Sequence, residues 1–140
     1  MKKNLIPLLI MMIPAITSLA QTNLKQKHEK YLVGHWKLDT MYMDIELPDE
    51  YVEVFREKYK ELEEKTEFIF RADGSYTKLS IEPPRQGQWS INQNGTIITI
   101  EFDDSDEVSK TKIRNLTNEK MDMQPVGDAA NTRVLLYKTE

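Results

Sequence analysis

The chain of 140 residues is 39% hydrophobic and 30% charged, with 5 Gly, 6 Pro and no Cys. That composition allows one ordinary globular domain and excludes collagen-like, disulfide-scaffold and wholly disordered chains, along with thiol catalysis and thiolate metal sites. Nineteen Lys and Arg against 23 Asp and Glu leave a formal charge of −4, which offers no electrostatic footprint for nucleic acid.

The first twenty residues read as a targeting segment rather than part of a fold. Lys2 and Lys3 form a positive start, Leu5 to Ile16 an apolar run containing Pro7 and Pro14, and Ser18-Leu19-Ala20 a small-x-small site ahead of Gln21. This is the pattern of a cleaved secretory signal of bacterial type, residues 1–20. The run is shorter than the about 20 apolar residues a spanning helix needs, and no Cys is available for a lipid anchor. The product is therefore expected in the periplasm or outside the cell, with no membrane insertion after cleavage. Without Lys2 and Lys3 the remaining 120 residues carry 17 basic and 23 acidic groups, a formal −6. Lacking disulfides, an exported chain of this size must rest on its core, which can bury about two thirds of the unfolded surface.

Residues 21–30 are polar and read as a frayed or weakly helical leader to a single domain over 31–140. From Tyr31 to Leu47 the text is rich in aromatic and apolar residues and reads as one long strand. Trp36, Leu38, Thr40 and Tyr42 fall on one parity, with Lys37, Asp39, Met41 and Met43 on the other. A helix follows over 48–64. Pro48 suits its first position, Asp49 and Glu50 its first turn, and Tyr51, Val52, Phe55, Tyr59 and Leu62 recur at three- and four-residue spacing. Glu53 with Arg56, Glu57 with Lys60 and Glu61 with Lys65 give it a solvated charged face.

Short strands and turns then alternate. Thr66–Arg71 leads through the Asp73-Gly74 hairpin signal into Tyr76–Ile81, which Pro83 and Pro84 terminate. Gly87–Asn92 turns at Asn94-Gly95 into Thr96–Phe102; Asp103 to Asp106 is a loop; Glu107–Leu116, Lys120–Pro125 and Arg133–Lys138 complete the count. Eight strands joined mostly by hairpin-length links predict an all-β fold, an antiparallel up-and-down meander closed into a barrel, with one helix between strands 1 and 2. The helix is expected to cap one open end with Tyr51, Phe55, Tyr59 and Leu62 facing inward. Such a barrel holds either one small ligand or a filled side-chain core.

The segment Leu32-Val33-Gly34-His35-Trp36-Lys37-Leu38 resembles the opening strand of the lipocalin-like barrels, in particular the small exported lipocalin-like proteins of Bacteroidetes. The similarity continues through Phe70-Arg71-Ala72-Asp73-Gly74-Ser75-Tyr76, Gly87-Gln88-Trp89-Ser90-Ile91 and Ile113-Arg114-Asn115-Leu116-Thr117 to the last strand. The resemblance implies a lipocalin-like barrel in which Gly34 and Trp36 close the floor and a late Arg packs over the Trp ring. Arg133 is the counterpart by position, with Arg114 as the other candidate, and a cation–π contact gives the pair its physical basis. The Thr-Asp-Tyr motif is absent and the Arg-x-Tyr spacing of fatty-acid-binding proteins is not matched by Arg133 and Tyr137, so fatty acid is not implied as the ligand.

No catalytic constellation emerges. His28 and His35 are seven residues apart, and neither a nucleophile elbow nor a phosphate loop occurs. Tyr42, Asp44 and Glu46 are the first groups to consider for any acid–base role. Asp103-Asp104-Ser105-Asp106-Glu107 lacks the Gly and distant Glu of a calcium loop, and the sequons at Asn94 and Asn115 read as turn and strand chemistry. No metal and no cofactor is expected. Two alternate methionine pairs, Met41/Met43 and Met121/Met123, with Tyr42, Phe55, Tyr59, Phe68, Phe70 and Tyr137, form the candidate cavity lining, since Met adapts to irregular ligands. The expected function is noncatalytic binding of a small hydrophobic or amphipathic partner molecule. The alternative is an interaction or inhibitor module with a packed barrel, whose protein partner the sequence does not name.

Overall fold

The computed structural model describes residues 23–127 and 131–140; the expected signal over 1–20 lies outside them, as do residues 128–130 of the turn before the last strand. Helix α1 covers residues 23–32. It is followed by β1 (Gly34–Tyr42), α2 (Asp49–Lys65), β2 (Glu67–Phe70), β3 (Ser75–Leu79) and β4 (Arg85–Ile91). The chain then completes β5 (Ile97–Phe102), β6 (Val108–Leu116), β7 (Lys120–Pro125) and β8 (Arg133–Lys138). Each strand pairs antiparallel with its sequence neighbour, and β1 with β8, so the sheet closes into an eight-stranded up-and-down barrel, as the sequence predicts. Closure leaves no sheet edge.

The turns at Asp73-Gly74, Asn94-Gly95 and 117–119 lie at one end with Gly34 and the C-terminus; this is the floor. The loops 80–84 and 103–107, the end of β7, the start of β8 and α2 lie at the other, the mouth. The inward rows of the strands supply the core, among them Trp36, Leu38, Phe70, Tyr76, Ile91, Ile98, Ile113, Leu116 and Leu136, all below one-tenth exposed.

Two features depart from the sequence reading. The leader is not frayed: residues 23–32 make a regular helix whose Leu32 is fully buried in the core. Leu24, His28, Tyr31 and Leu32 recur at four- and three-residue spacing and supply its inner face. Gly95 has φ 72°, and a Cβ there would stand 2.8 Å from the Lys25 nitrogen, so the helix lies directly on the β4–β5 turn. His28 Nδ1 adds a bond to the Gly95 carbonyl at 2.5 Å.

The first strand also ends at Tyr42 rather than Leu47, and it carries a bulge. Leu38 faces Leu136, but Thr40 faces Leu135 and Met41 faces Val134. The extra residue reverses the side-chain parity beyond Leu38. Met41 therefore turns toward the core, while Tyr42 is 54% exposed.

Candidate functional site

Three adjoining spaces with shared lining residues occupy the mouth half of the molecule. The first is a cavity of about 200 Å³ inside the barrel, bordered chiefly by Phe68, Phe70, Tyr76, Ile98, Ile100 and Met123, with Lys78 among its walls. These side chains converge because Phe68 is registered opposite Lys78 and Phe70 opposite Tyr76, all on the inward parity. Phe70 and Tyr76 rings pack with centroids 5.0 Å apart, which fixes the rigid aromatic wall. Burial pushes the Tyr76 hydroxyl above the ordinary phenol range, so it stays protonated.

The second space is a crevice of about 170 Å³ under the last turns of α2, lined by Leu38, Met41, Leu62, Thr66, Ser80 and Val134, again with Phe68 and Lys78. Phe68, Lys78 and Val134 border both this crevice and the interior cavity. The Thr66 hydroxyl is buried here with no hydrogen-bond partner among the described residues. The third space is an open groove of about 400 Å³ between α2 and the end of β1, lined by Met41, Met43, Leu47, Val52, Phe55 and Tyr59 among others. Tyr59 clamps helix to strand, its hydroxyl donating to the Met41 carbonyl at 2.8 Å and accepting from the Met41 amide. Burial, with the nearby Glu63 carboxylate, raises the Tyr59 pKa.

The predicted lining residues thus separate. Phe68, Phe70 and Met123 border the interior cavity. Tyr42, Met43, Phe55 and Tyr59 border the groove, and Met41 both groove and crevice. Met121, 2% exposed, is sealed in the core and borders none of the three spaces. Tyr137, 41% exposed, points outward because its neighbour Leu136 takes the inward position opposite Leu38. No residue of α2 is buried and Tyr51 is 56% exposed, so the helix borders the mouth through Leu62 and Tyr59 rather than plugging it with an inward row. Lys78, Thr66 and Ser80 were not anticipated; the inward parity that Lys78 shares with Tyr76 is the signal that marks it.

The floor also differs in one member. Trp36 is fully buried and its Nε1 donates to the Leu32 carbonyl at 2.7 Å, satisfying the C-terminal end of α1. Gly34, at φ 145°, is required because a Cβ would lie 2.5 Å from the Glu140 carbonyl oxygen. The cation over the Trp36 ring is Lys138, its Nζ 4.9 Å from the centroid, and not Arg133. Arg133 is registered opposite Tyr42 near the mouth and holds Asp122 at 2.6 Å. Arg114 lies on the outside, bonded to Gln124 at 3.1 Å. Lys138 stands directly opposite Trp36 in the β1–β8 register, so pairing, not residue type, selects it.

The acid–base candidates do not converge: Tyr42, Asp44 and Glu46 are all exposed. His35 instead reaches Glu67 at 3.2 Å on the barrel exterior. In the acidic loop, Asp104 and Glu107 pair with Arg85 at 2.9 and 3.1 Å, and Arg85 lies 3.7 Å over the Phe102 ring. Among the described residues no three His, Cys, Asp or Glu gather to hold a metal ion, and no helix is long and apolar enough to cross a membrane.

A model of the lipocalin-like domain family matches residues 32–123. Among solved structures, a DUF4847-family protein from Bacteroides vulgatus superposes with a TM-score of 0.58 at 14% identity, covering 81% of this chain and 99% of that one. A lipocalin-like protein from Bacteroides uniformis gives 0.53 at 12% identity, with 78% and 99% covered. At such identities the likeness is one of fold. No curated protein matches the chain.

Proposed function

The chain belongs to the lipocalin-like domain family, and on that premise we propose that it is a noncatalytic exported protein whose barrel binds one small apolar or amphipathic molecule. The observation that carries this reading is the interior cavity of about 200 Å³, walled mainly by aromatic and aliphatic side chains with Lys78, Ser109 and Thr111 among them. A filled barrel has no such space, because cores close-pack with few voids larger than water. The size limits the guest. Drug-sized ligands occupy sites of about 300–1,000 Å³, whereas an apolar cavity of about 150 Å³ accepts a single ring. The cavity therefore suits a ring or short chain, and a longer molecule would reach the crevice beneath Leu62 only by shifting Phe68, Lys78 or Val134, which stand between the two spaces. Export is supported by the Lys2/Lys3, Leu5–Ile16 and Ser18-Leu19-Ala20 pattern, and the noncatalytic reading by the dispersal of Tyr42, Asp44, Glu46 and His35.

Native mass spectrometry of the protein purified from its own host, followed by solvent extraction, tests this reading. A copurifying small molecule released on denaturation is the expected result. A bare chain that instead recovers a stoichiometric protein in pull-down would replace the reading with that of an interaction module.

A further inference from the structure

We infer that the ligand is an organic monoanion, a carboxylate-bearing amphiphile whose head group meets the Lys78 ammonium at the border between the interior cavity and the crevice under α2; this rests on the binding reading above. Lys78 borders both spaces together with Phe68 and Val134; Leu38 and Leu62 line the crevice, and Ile98 lines the cavity with Ser109 and Thr111. A purely apolar ligand filling these spaces would displace water from the ammonium and offer nothing in its place, whereas an anionic head group would pair with it.

The barrel's other inward or rim cations are all matched. Arg85 holds Asp104 and Glu107. Arg133 holds Asp122, and Lys138 donates to the Tyr31 carbonyl and Asn118. Glu67, next to Phe68 in sequence, is turned outward onto His35. The Lys78 ammonium alone among these has no ion pair and no side-chain hydrogen bond among the described residues.

The chemistry of the head group follows from the count of charges. One ammonium neutralises one negative charge, so a carboxylate is matched while a phosphate monoester would retain uncompensated charge in apolar surroundings. Two hydroxyls border the same crevice, Ser80 and the buried, unpaired Thr66, and a carboxylate has acceptor capacity for such donors beyond the ammonium. The apolar end of the molecule then lies among Phe70, Tyr76 and Ile100.

Isothermal titration of octanoate and 1-octanol at neutral pH into the exported form and its Lys78→Met and Lys78→Arg variants decides the matter. Octanoate affinity should fall by at least about tenfold in Lys78→Met. It should largely return in Lys78→Arg, while 1-octanol binds all three alike and so reports that each is folded. Octanoate bound equally by the parent and Lys78→Met, with 1-octanol still binding, would overturn the anion assignment and leave the binding reading standing. Failure of the parent to bind either probe would remove both.

Discussion

Replacing Lys138 with Met separates the cation that closes the floor from the one that motif resemblance would choose. The Lys138 ammonium donates to the Tyr31 carbonyl at 2.6 Å and to Asn118 at 3.2 Å and lies 4.9 Å from the Trp36 ring. A hydrogen bond to a charged group contributes about 1.5–3 kcal/mol and a partly desolvated cation–π contact about 0.5–2 kcal/mol. Burial, which pulls the Lys138 pKa below the ordinary lysine value, opposes these gains. Methionine keeps much of the aliphatic stem, so the expected net loss is about 1–2 kcal/mol. The Arg133–Asp122 pair, with its arginine 41% exposed, is a surface pair, and Arg133→Met should cost no more than about 1 kcal/mol. Urea denaturation of both variants, with a cycle through Trp36→Leu, measures the difference. The cycle should return a Lys138–Trp36 coupling of at least about 0.5 kcal/mol. Equal losses for the two variants, or no coupling, would refute the assignment of Lys138 to the floor.

Trp36→Ala, which empties a fully buried ring position, should lower stability by about 3–5 kcal/mol in the same denaturation assay. Tyr59→Phe removes both bonds to Met41; it should speed amide exchange across 49–65 while moving the global midpoint little, and a loss as large as that of Trp36→Ala would make α2 part of the core. Gly95→Ala places a methyl against Lys25 of α1 at a positive φ, costing about 1–3 kcal/mol and exposing residues 23–32 to limited proteolysis. The Asp73 carboxylate is held below its ordinary range by Ser75 and that of Asp104 by Arg85. Their stabilisation is complete above the ordinary value of 3.8 and is lost as pH falls through the lowered native values. The Asp73→Asn/Asp104→Asn double variant should therefore show a shallower acid limb in thermal melts below about pH 4.

The strands were legible because their punctuation is local. Asp73-Gly74, Asn94-Gly95 and the Pro83-Pro84 stop fix the ends of β2 to β5 from residues that lie within the turns themselves. What escaped the sequence is set by partners distant in the chain. The bulge after Leu38 has no glycine or proline to announce it; it exists because β1 must meet both β2 and β8 around a closed sheet. One extra residue then turns Met41 inward and Tyr42 outward, the reverse of what parity counted from Trp36 gives. Helix α1 was masked by its composition, since Lys25, Gln26, Lys27, Glu29 and Lys30 outnumber the Leu24, Tyr31 and Leu32 that anchor it. At the floor, the residue type expected for the closing cation pointed to Arg133, while register required whatever stands opposite Trp36.

The two ends of the barrel are held by different kinds of force, and this bears on how a ligand enters. At the floor, α1 seats Leu32 in the core, Trp36 ties its last carbonyl, Lys138 closes over the ring, and the backbone of His35 exchanges bonds with Glu140 and Thr139. Opening there would expose a fully buried tryptophan and leucine together. At the mouth, α2 buries no residue, leaves Tyr51 and Val54 more than half exposed, and is held by Leu62 against the core, by the Tyr59 hydroxyl on β1 and by the Leu38 amide on the Thr66 carbonyl just past its end. Segments with few buried contacts open at low free energy, well below the global unfolding free energy. A displacement of α2 would widen the crevice beneath Leu62, which is the space that shares Lys78 with the interior cavity. On the proposed reading, a molecule entering from this end would meet Lys78, the side chain that borders both spaces.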